Sequence, residues 1–238
     1  MTQYTQDNIR EVFAISDEAF RGLEAYYALL VKWQKAINLV SNNTLSEAWH
    51  RHFADSAQVA RLIVHENKEE CILHNASREE VGGLFDDKGG VLQYNKKVYA
   101  DLGCGAGFPG LVIAMMRPEL DVHLVESDER KGQFMRTVIR EAGVKNATVH
   151  TQRIEDMTDE FTPDLVSARA LASLSKLLGY CQPWIEANAD LQFYFLKGER
   201  ASEELEEARG AYDFSVKITP SVTEAQAQIL LLSSVRMI

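Results

Sequence analysis

Cysteine is scarce in this chain: Cys71, Cys104 and Cys181 are odd in number, widely spaced and without a Cys-x-x-Cys pair. That pattern argues against a disulfide framework and a structural zinc site, and for reduced thiols in the cytoplasm. Long apolar runs are missing as well. None approaches the ~20 residues that span a bilayer, so no membrane association is expected. The N-terminus carries Asp7 and Glu11 and no apolar core segment, which does not read as a secretory leader. Positive charge is also in deficit: 25 Lys and Arg against 35 Asp and Glu leave a net charge of −10. This argues against nonspecific nucleic-acid binding, where attraction of Lys and Arg to phosphate dominates. Residues 1–97 hold 11 basic and 14 acidic side chains, leaving 14 and 21 for 98–238. Neither part is basic overall, so RNA binding would have to rest on local patches. There is no internal repeat and no low-complexity tract.

What is present is a chain of 238 residues, 46% hydrophobic and 25% charged, enough to bury a full core. From Asp7 to Leu39 apolar residues recur at helical spacing. Thr44 followed by Glu47 reads as the capping box of a second helix through Trp49, Phe53, Ala57 and Ala60. Trp33 and Trp49 have apolar neighbours and are expected in the core. Residues 65–97 lose periodicity and collect Gly82-Gly83 and Gly89-Gly90, which reads as a mobile insertion with a small hairpin around Val91 to Tyr94. The expected division is therefore a helical extension over 1–64, a linker over 65–97 and a nucleotide-binding domain over 98–238. In that last part strands are predicted at 98–102, 121–126, 147–151, 164–168 and 191–196. Helices are predicted over Gly110–Met116, Arg130–Ala142 and Leu171–Ala187. The βαβα order implies a parallel sheet with helices on both faces. After the helical stretch Ser202 to Arg209, strands at 212–218 and 227–235 form a hairpin that adds an antiparallel strand. Five parallel strands and a terminal hairpin, a seven-stranded and mostly parallel α/β sheet, suit a methyltransferase better than a dinucleotide dehydrogenase.

The chemistry gathers at residues 101–110, Asp-Leu-Gly-Cys-Gly-Ala-Gly-Phe-Pro-Gly, at the end of the first of these strands. Alternate glycines, Gly103, Gly105 and Gly107, let the backbone approach a ligand at a strand's carboxyl end. Glu126 closes the next strand, where a carboxylate accepts both hydroxyls of a ribose. The segment satisfies the dinucleotide expression G-x-G-x-x-G, a weak signal alone. Asp101, just before the glycines, suits the ammonium and sulfonium of S-adenosylmethionine better than a pyrophosphate; otherwise it caps the turn. At the third strand end Ile154 and Glu155 can meet an adenine edge, or Glu155 is simply an acid at a helix start. Arg169 ends the fourth strand, placed for a ligand or for a salt bridge to Asp101 or Glu126.

These residues resemble the small-subunit (16S) ribosomal RNA guanine-N7 methyltransferases, the glucose-inhibited division protein B family. The resemblance rests on Asp101–Gly110, Val125-Glu-Ser-Asp128 with Arg130-Lys131, Ala168-Arg-Ala170 and Leu196-Lys-Gly198. Asn38-Leu39, Arg51-His52 and Asp55-Ser56 extend it into the helical part, so it runs from about Lys32 to Lys197. It implies a class I, Rossmann-like methyltransferase fold, S-adenosylmethionine as donor and N7 of one guanine as acceptor. By motif it places cofactor contacts at Gly103, Phe108, Ile154, Glu155 and Arg169. Cys104 and Ile154 depart from the family pattern at positions that would contribute backbone. No catalytic residue is nominated, because guanine N7 has an in-plane lone pair and no proton to remove. In A-form RNA that atom lies in a groove side chains cannot read, so the target is expected unpaired or turned out of its stack. Candidate RNA contacts are Arg51, His52, Arg136, Arg140 and Lys197; Arg136 and Arg140 also read as a solvated helix face. His50 and His52 do not share a helix face, which argues against a metal site. The chain is expected to be a cytoplasmic monomer acting on small-subunit rRNA or its particle. The rival readings are a small-molecule or protein methyltransferase with the N-terminal helices as a lid, a non-catalytic cofactor-binding assembly module, and a nicotinamide dehydrogenase.

Overall fold

The computed structural model describes residues 3–63, 96–157 and 160–238. The hairpin expected around Val91 to Tyr94, and all of the 65–97 stretch except Lys96 and Lys97, lie outside them.

The N-terminal part comprises α1 (Gln6–Val12), α2 (Asp17–Gln34), α3 (Asn42–Leu45), a π-helical turn at Trp49–Ala54 and α4 (Asp55–Leu62). The single helix expected from Asp7 to Leu39 is thus two. It breaks at Ala14, whose φ is 51°, with Ile15 N–H donating to the Arg10 carbonyl and Ala14 N–H to that of Glu11. This is a Schellman stop with alanine where glycine usually stands, so the usual sequence signal is missing. Ser16 then caps α2, its Oγ accepting from Ala19 N–H. Thr44 does not cap the next helix either. Its hydroxyl donates to the Ser41 carbonyl and meets His52 Nε2, while the helix starts later, in the wide turn at Trp49. That turn stacks Trp49 on Phe53, centroids 4.5 Å apart, so Trp49 packs in the core; Trp33 packs against Phe134.

Strands β1 (Val98–Leu102), β2 (Asp121–Val125), β3 (Ala147–His150), β4 (Leu165–Arg169) and β5 (Gln192–Lys197) run parallel. β6 (Tyr212–Pro220) and β7 (Gln228–Met237) form an antiparallel hairpin, joined through β7 to β5. The order in this seven-stranded sheet of the described residues is β3-β2-β1-β4-β5-β7-β6. Chain direction across the sheet reverses between β1 and β4, the switch point where open α/β sheets bind ligands. Helices α5 (Gly110–Met116) and α6 (Glu129–Glu141) pack on one face together with the N-terminal helices, burying Leu111, Phe134, Tyr26 and Phe53 in one cluster. On the other face α7 (Leu174–Tyr180), α8 (Gln182–Ala187) and α9 (Ala201–Ala208) bury Leu178, Trp184 and Leu205. The helix expected over Leu171–Ala187 is broken at Cys181, because Pro183 can occupy only the first turn of a new helix.

Candidate active site

Two clefts open at the carboxyl ends of the parallel strands and share Ala170, the residue after β4. The first, about 380 Å³, is lined by Gly103, Gly105, Glu126, Ile154, Glu155 and Leu171. The second, about 410 Å³, includes Arg51, His52, Asp55, Arg169, Lys197 and Glu224. Each has the size of a small-molecule site.

The first cleft is built on the glycine loop. Gly103, Gly105 and Gly107 all have positive φ (60°, 58° and 97°), which turns the chain tightly after β1. Glu126 holds the loop from β2: its Oε2 accepts from Gly105 N–H at 2.9 Å and its Oε1 from Asp128 N–H at 2.9 Å. A carboxylate has about four acceptor positions, so both oxygens keep capacity for hydroxyls in the cleft. Ile154 and Glu155 open a 3₁₀ turn, whose first N–H groups have no partner within the turn.

Three residues expected at the cofactor do not line this first cleft. Asp101 is fully buried and does not line the cleft; its Oδ2 accepts from Gly110 N–H (2.7 Å) and its Oδ1 from Ser167 Oγ (2.7 Å). It ties the glycine loop to α5 and β4, as a capping residue does. Phe108 turns its ring inward, stacking on Tyr26 at 4.9 Å and on His52 at 5.1 Å. Arg169 lines the second cleft, with its guanidinium 5.3 Å from the Phe108 ring. Its ion-pair partner is Asp55 at 3.5 Å, neither Asp101 nor Glu126.

In the second cleft, Arg169 Nη1 donates to the Arg51 carbonyl (3.3 Å) and to His52 Nδ1 (3.1 Å). His52 must then carry its proton on Nε2 and donate to Thr44 Oγ1 (2.9 Å), whose own hydrogen goes to Ser41. Asp55 also accepts from Ser221 Oγ (3.3 Å) and Thr223 Oγ1 (3.2 Å) on the β6–β7 connection. Every cation here has an acid: Arg51–Glu224 at 2.8 Å, Arg169–Asp55 at 3.5 Å and Lys197–Glu204 at 2.7 Å. Arg51, His52 and Lys197 are thus brought together, but as a paired set and not a basic patch. Arg136 and Arg140 line neither cleft. Arg136 bonds Thr151 and Arg140 bonds Glu141, as residues on a solvated helix face do. Sequence reasoning missed Asp55 as a site residue and the β6–β7 connection altogether. The Asp55-Ser56 pair was the only signal; the connection carries no motif.

Burial pushes two groups in opposite directions. The Asp101 carboxyl rises from 3.8 to about 7, against the pull of its bonds from Ser167 and Gly110. The His52 imidazole falls from 6.5 to about 3, through burial and the neighbouring Arg169 and Arg51 guanidinium groups. Asp101 therefore contributes stability that is full below pH 3.8 and is lost as pH rises through about 7. His52 contributes stability that is full above pH 6.5 and is lost as pH falls toward 3. Between pH 3.8 and 6.5 the two slopes oppose one another. Asp101→Asn removes one of them. Relative to wild type, the stability of this variant should climb by up to about 1.4 kcal/mol per pH unit across that window. Urea unfolding midpoints at closely spaced pH values measure this, and parallel profiles for the two proteins contradict it.

A family model described as rRNA small subunit methyltransferase G (GidB) matches residues 20–73 and 89–232. The Ribosomal RNA small subunit methyltransferase G of Parvibaculum lavamentivorans is 40% identical over 220 residues, covering 91% of this chain and 83% of that protein. The protein of the same name from Rhodospirillum centenum is 40% identical over 230 residues, covering 96% and 90%. Among solved structures, a mutant of MtNAS in complex with S-adenosylmethionine superposes with a TM-score of 0.53 at 12% identity, covering 98% of this chain and 85% of that one. At that identity the likeness concerns the fold alone. The family-model match and the two relatives that cover over nine-tenths of its length put this chain in the rRNA small subunit methyltransferase G (GidB) family.

Proposed function

We propose that this chain methylates N7 of one guanine in small-subunit ribosomal RNA. Membership of its family makes it an S-adenosylmethionine-dependent rRNA methyltransferase. The base and the atom are our reading, and the observation that carries it is the pair of clefts meeting at Ala170. The first fits the cofactor. Glu126 offers only acceptors, as ribose hydroxyls require. The start of α5, where a dinucleotide's pyrophosphate would rest, is taken: Gly110 N–H is spent on the buried Asp101.

When bound, S-adenosylmethionine supplies a methyl group already activated by its sulfonium. The chain's own task is to hold the acceptor nitrogen in line with it and to keep water out, which is worth roughly 7–11 kcal/mol of a barrier. No residue needs to accept a proton from N7. His52 agrees with that, since its imidazole titrates near 3 and both ring nitrogens are committed to Arg169 and Thr44. The second cleft, with its cations matched by acids, suits the flat uncharged face of a base better than a run of phosphates. No helix among the described residues is long and apolar enough to cross a membrane. We read the enzyme as a cytoplasmic monomer whose partner is the small subunit or its rRNA.

The test incubates the protein with methyl-labelled S-adenosylmethionine and either small-subunit particles or free rRNA, then maps the label. Label at N7 of a single guanine is the expected result. Cofactor binding with no label in RNA overturns the reading and favours a small-molecule or protein acceptor.

A further inference from the structure

Three carboxylates line the second cleft among the described residues, and two of them are each held by more than one partner within the fold. Asp55 receives Ser221, Thr223 and Arg169, and Glu204 receives the Leu174 N–H and Lys197. Glu224 differs. It stands on the β6–β7 connection with 48% of its side chain exposed, and its Oε2 accepts from Arg51 Nη2 at 2.8 Å. One such bond uses one of about four acceptor positions, and Glu224 lines the cleft with the rest to offer. The wall it belongs to is not shared with the cofactor cleft, whereas Ala170 is.

A guanine whose N7 faces Ala170 turns its opposite edge, the N1–H and 2-amino donors, toward the unshared walls. We propose that Glu224, oriented by Arg51, accepts hydrogen bonds from that edge and selects guanine over other bases. This rests on the reading of the enzyme as a guanine-N7 methyltransferase. A carboxylate complements two adjacent donors, while adenine presents an acceptor at N1 and would leave Glu224 facing a lone pair. The same contact assists the reaction. As the N7 lone pair forms the bond to the methyl carbon, the positive charge passes to the purine and makes N1–H a stronger donor. An acceptor held there binds the transition state better than the ground state.

Glu224→Gln is the informative variant, because its amide oxygen can still accept from Arg51. Transfer to small-subunit particles should fall about thirtyfold, seen in kcat as well as KM for the particle, with the S-adenosylmethionine affinity unchanged. Once the label is mapped, particles are rebuilt with inosine at that guanosine, which removes the 2-amino group alone. Wild type should lose about tenfold on inosine, and Glu224→Gln should lose nothing further. Equal losses in both proteins, or a variant within threefold of wild type on the natural particle, overturn the assignment. Absence of guanine-N7 label with the wild-type enzyme is a separate failure, that of the reaction itself.

Discussion

Gly110→Ala is expected to destabilise the protein by about 3–5 kcal/mol and to remove cofactor binding with it. The first residue of α5 packs directly on the central strands. A Cβ there would overlap Leu124 Cδ2 and stand 2.8 Å from Asp101 Oδ2 and 2.9 Å from Asp101 Cβ. Two of those neighbours belong to the side chain that the Gly110 N–H itself holds, so relief of the clash breaks the hydrogen bond. Asp101 is then buried with one oxygen unserved, and the tie between glycine loop and β4 is lost. Gly105→Ala separates this effect from loop geometry. A Cβ at Gly105 meets nothing within 4 Å, so only its left-handed φ of 58° opposes the change, at about 1 kcal/mol. Denaturant unfolding and calorimetric titration with S-adenosylmethionine measure both. A Gly110→Ala protein within 1 kcal/mol of wild type would mean that Asp101 does not hold the loop.

Arg169→Ala should reduce methyl transfer by about a hundredfold while leaving S-adenosylmethionine affinity within a few-fold of wild type. The sequence resemblance placed this arginine at the cofactor; its side chain lies across Ala170 in the other cleft. There it joins Asp55, the Arg51 carbonyl and His52 to the end of β4, so its loss frees the π-helical turn and α4, which line the second cleft. Asp55 would keep Ser221 and Thr223 but lose its countercharge, which should cost about 2–3 kcal/mol of stability. Arg169→Lys should restore most of the stability and little of the turnover, since an ammonium keeps the charge and not the planar fork. Parallel measurement of cofactor affinity and turnover decides between the two clefts. A large loss of affinity with normal turnover at saturation would return Arg169 to the cofactor.

The rest of the site shows where local sequence stops being informative. Strand boundaries agree with the sequence reading to within about two residues, because apolar runs bounded by turn residues report their own burial. The helix breaks at Ala14 and Cys181 were harder. Ala14 takes a left-handed conformation without the glycine that usually announces one, whereas Pro183 was a visible signal for the second break. The wide turn at Trp49–Ala54 has no signature, yet it is what brings Arg51, His52 and Asp55 to one cleft.

From residues 101–110 alone one could read that a strand ends, that the backbone turns through left-handed glycines and that a ligand can come close. Those are local properties of short spans of chain, and the acid that follows β2, Glu126, is of the same kind. That Arg169 lines the second cleft, that Asp101 bonds Gly110 and Ser167, and that residues of the 221–228 connection wall that cleft were decided by packing. Each depends on segments more than 60 residues apart meeting at one sheet edge. The energy of such meetings, in burial and ion pairing, is not carried by either segment alone.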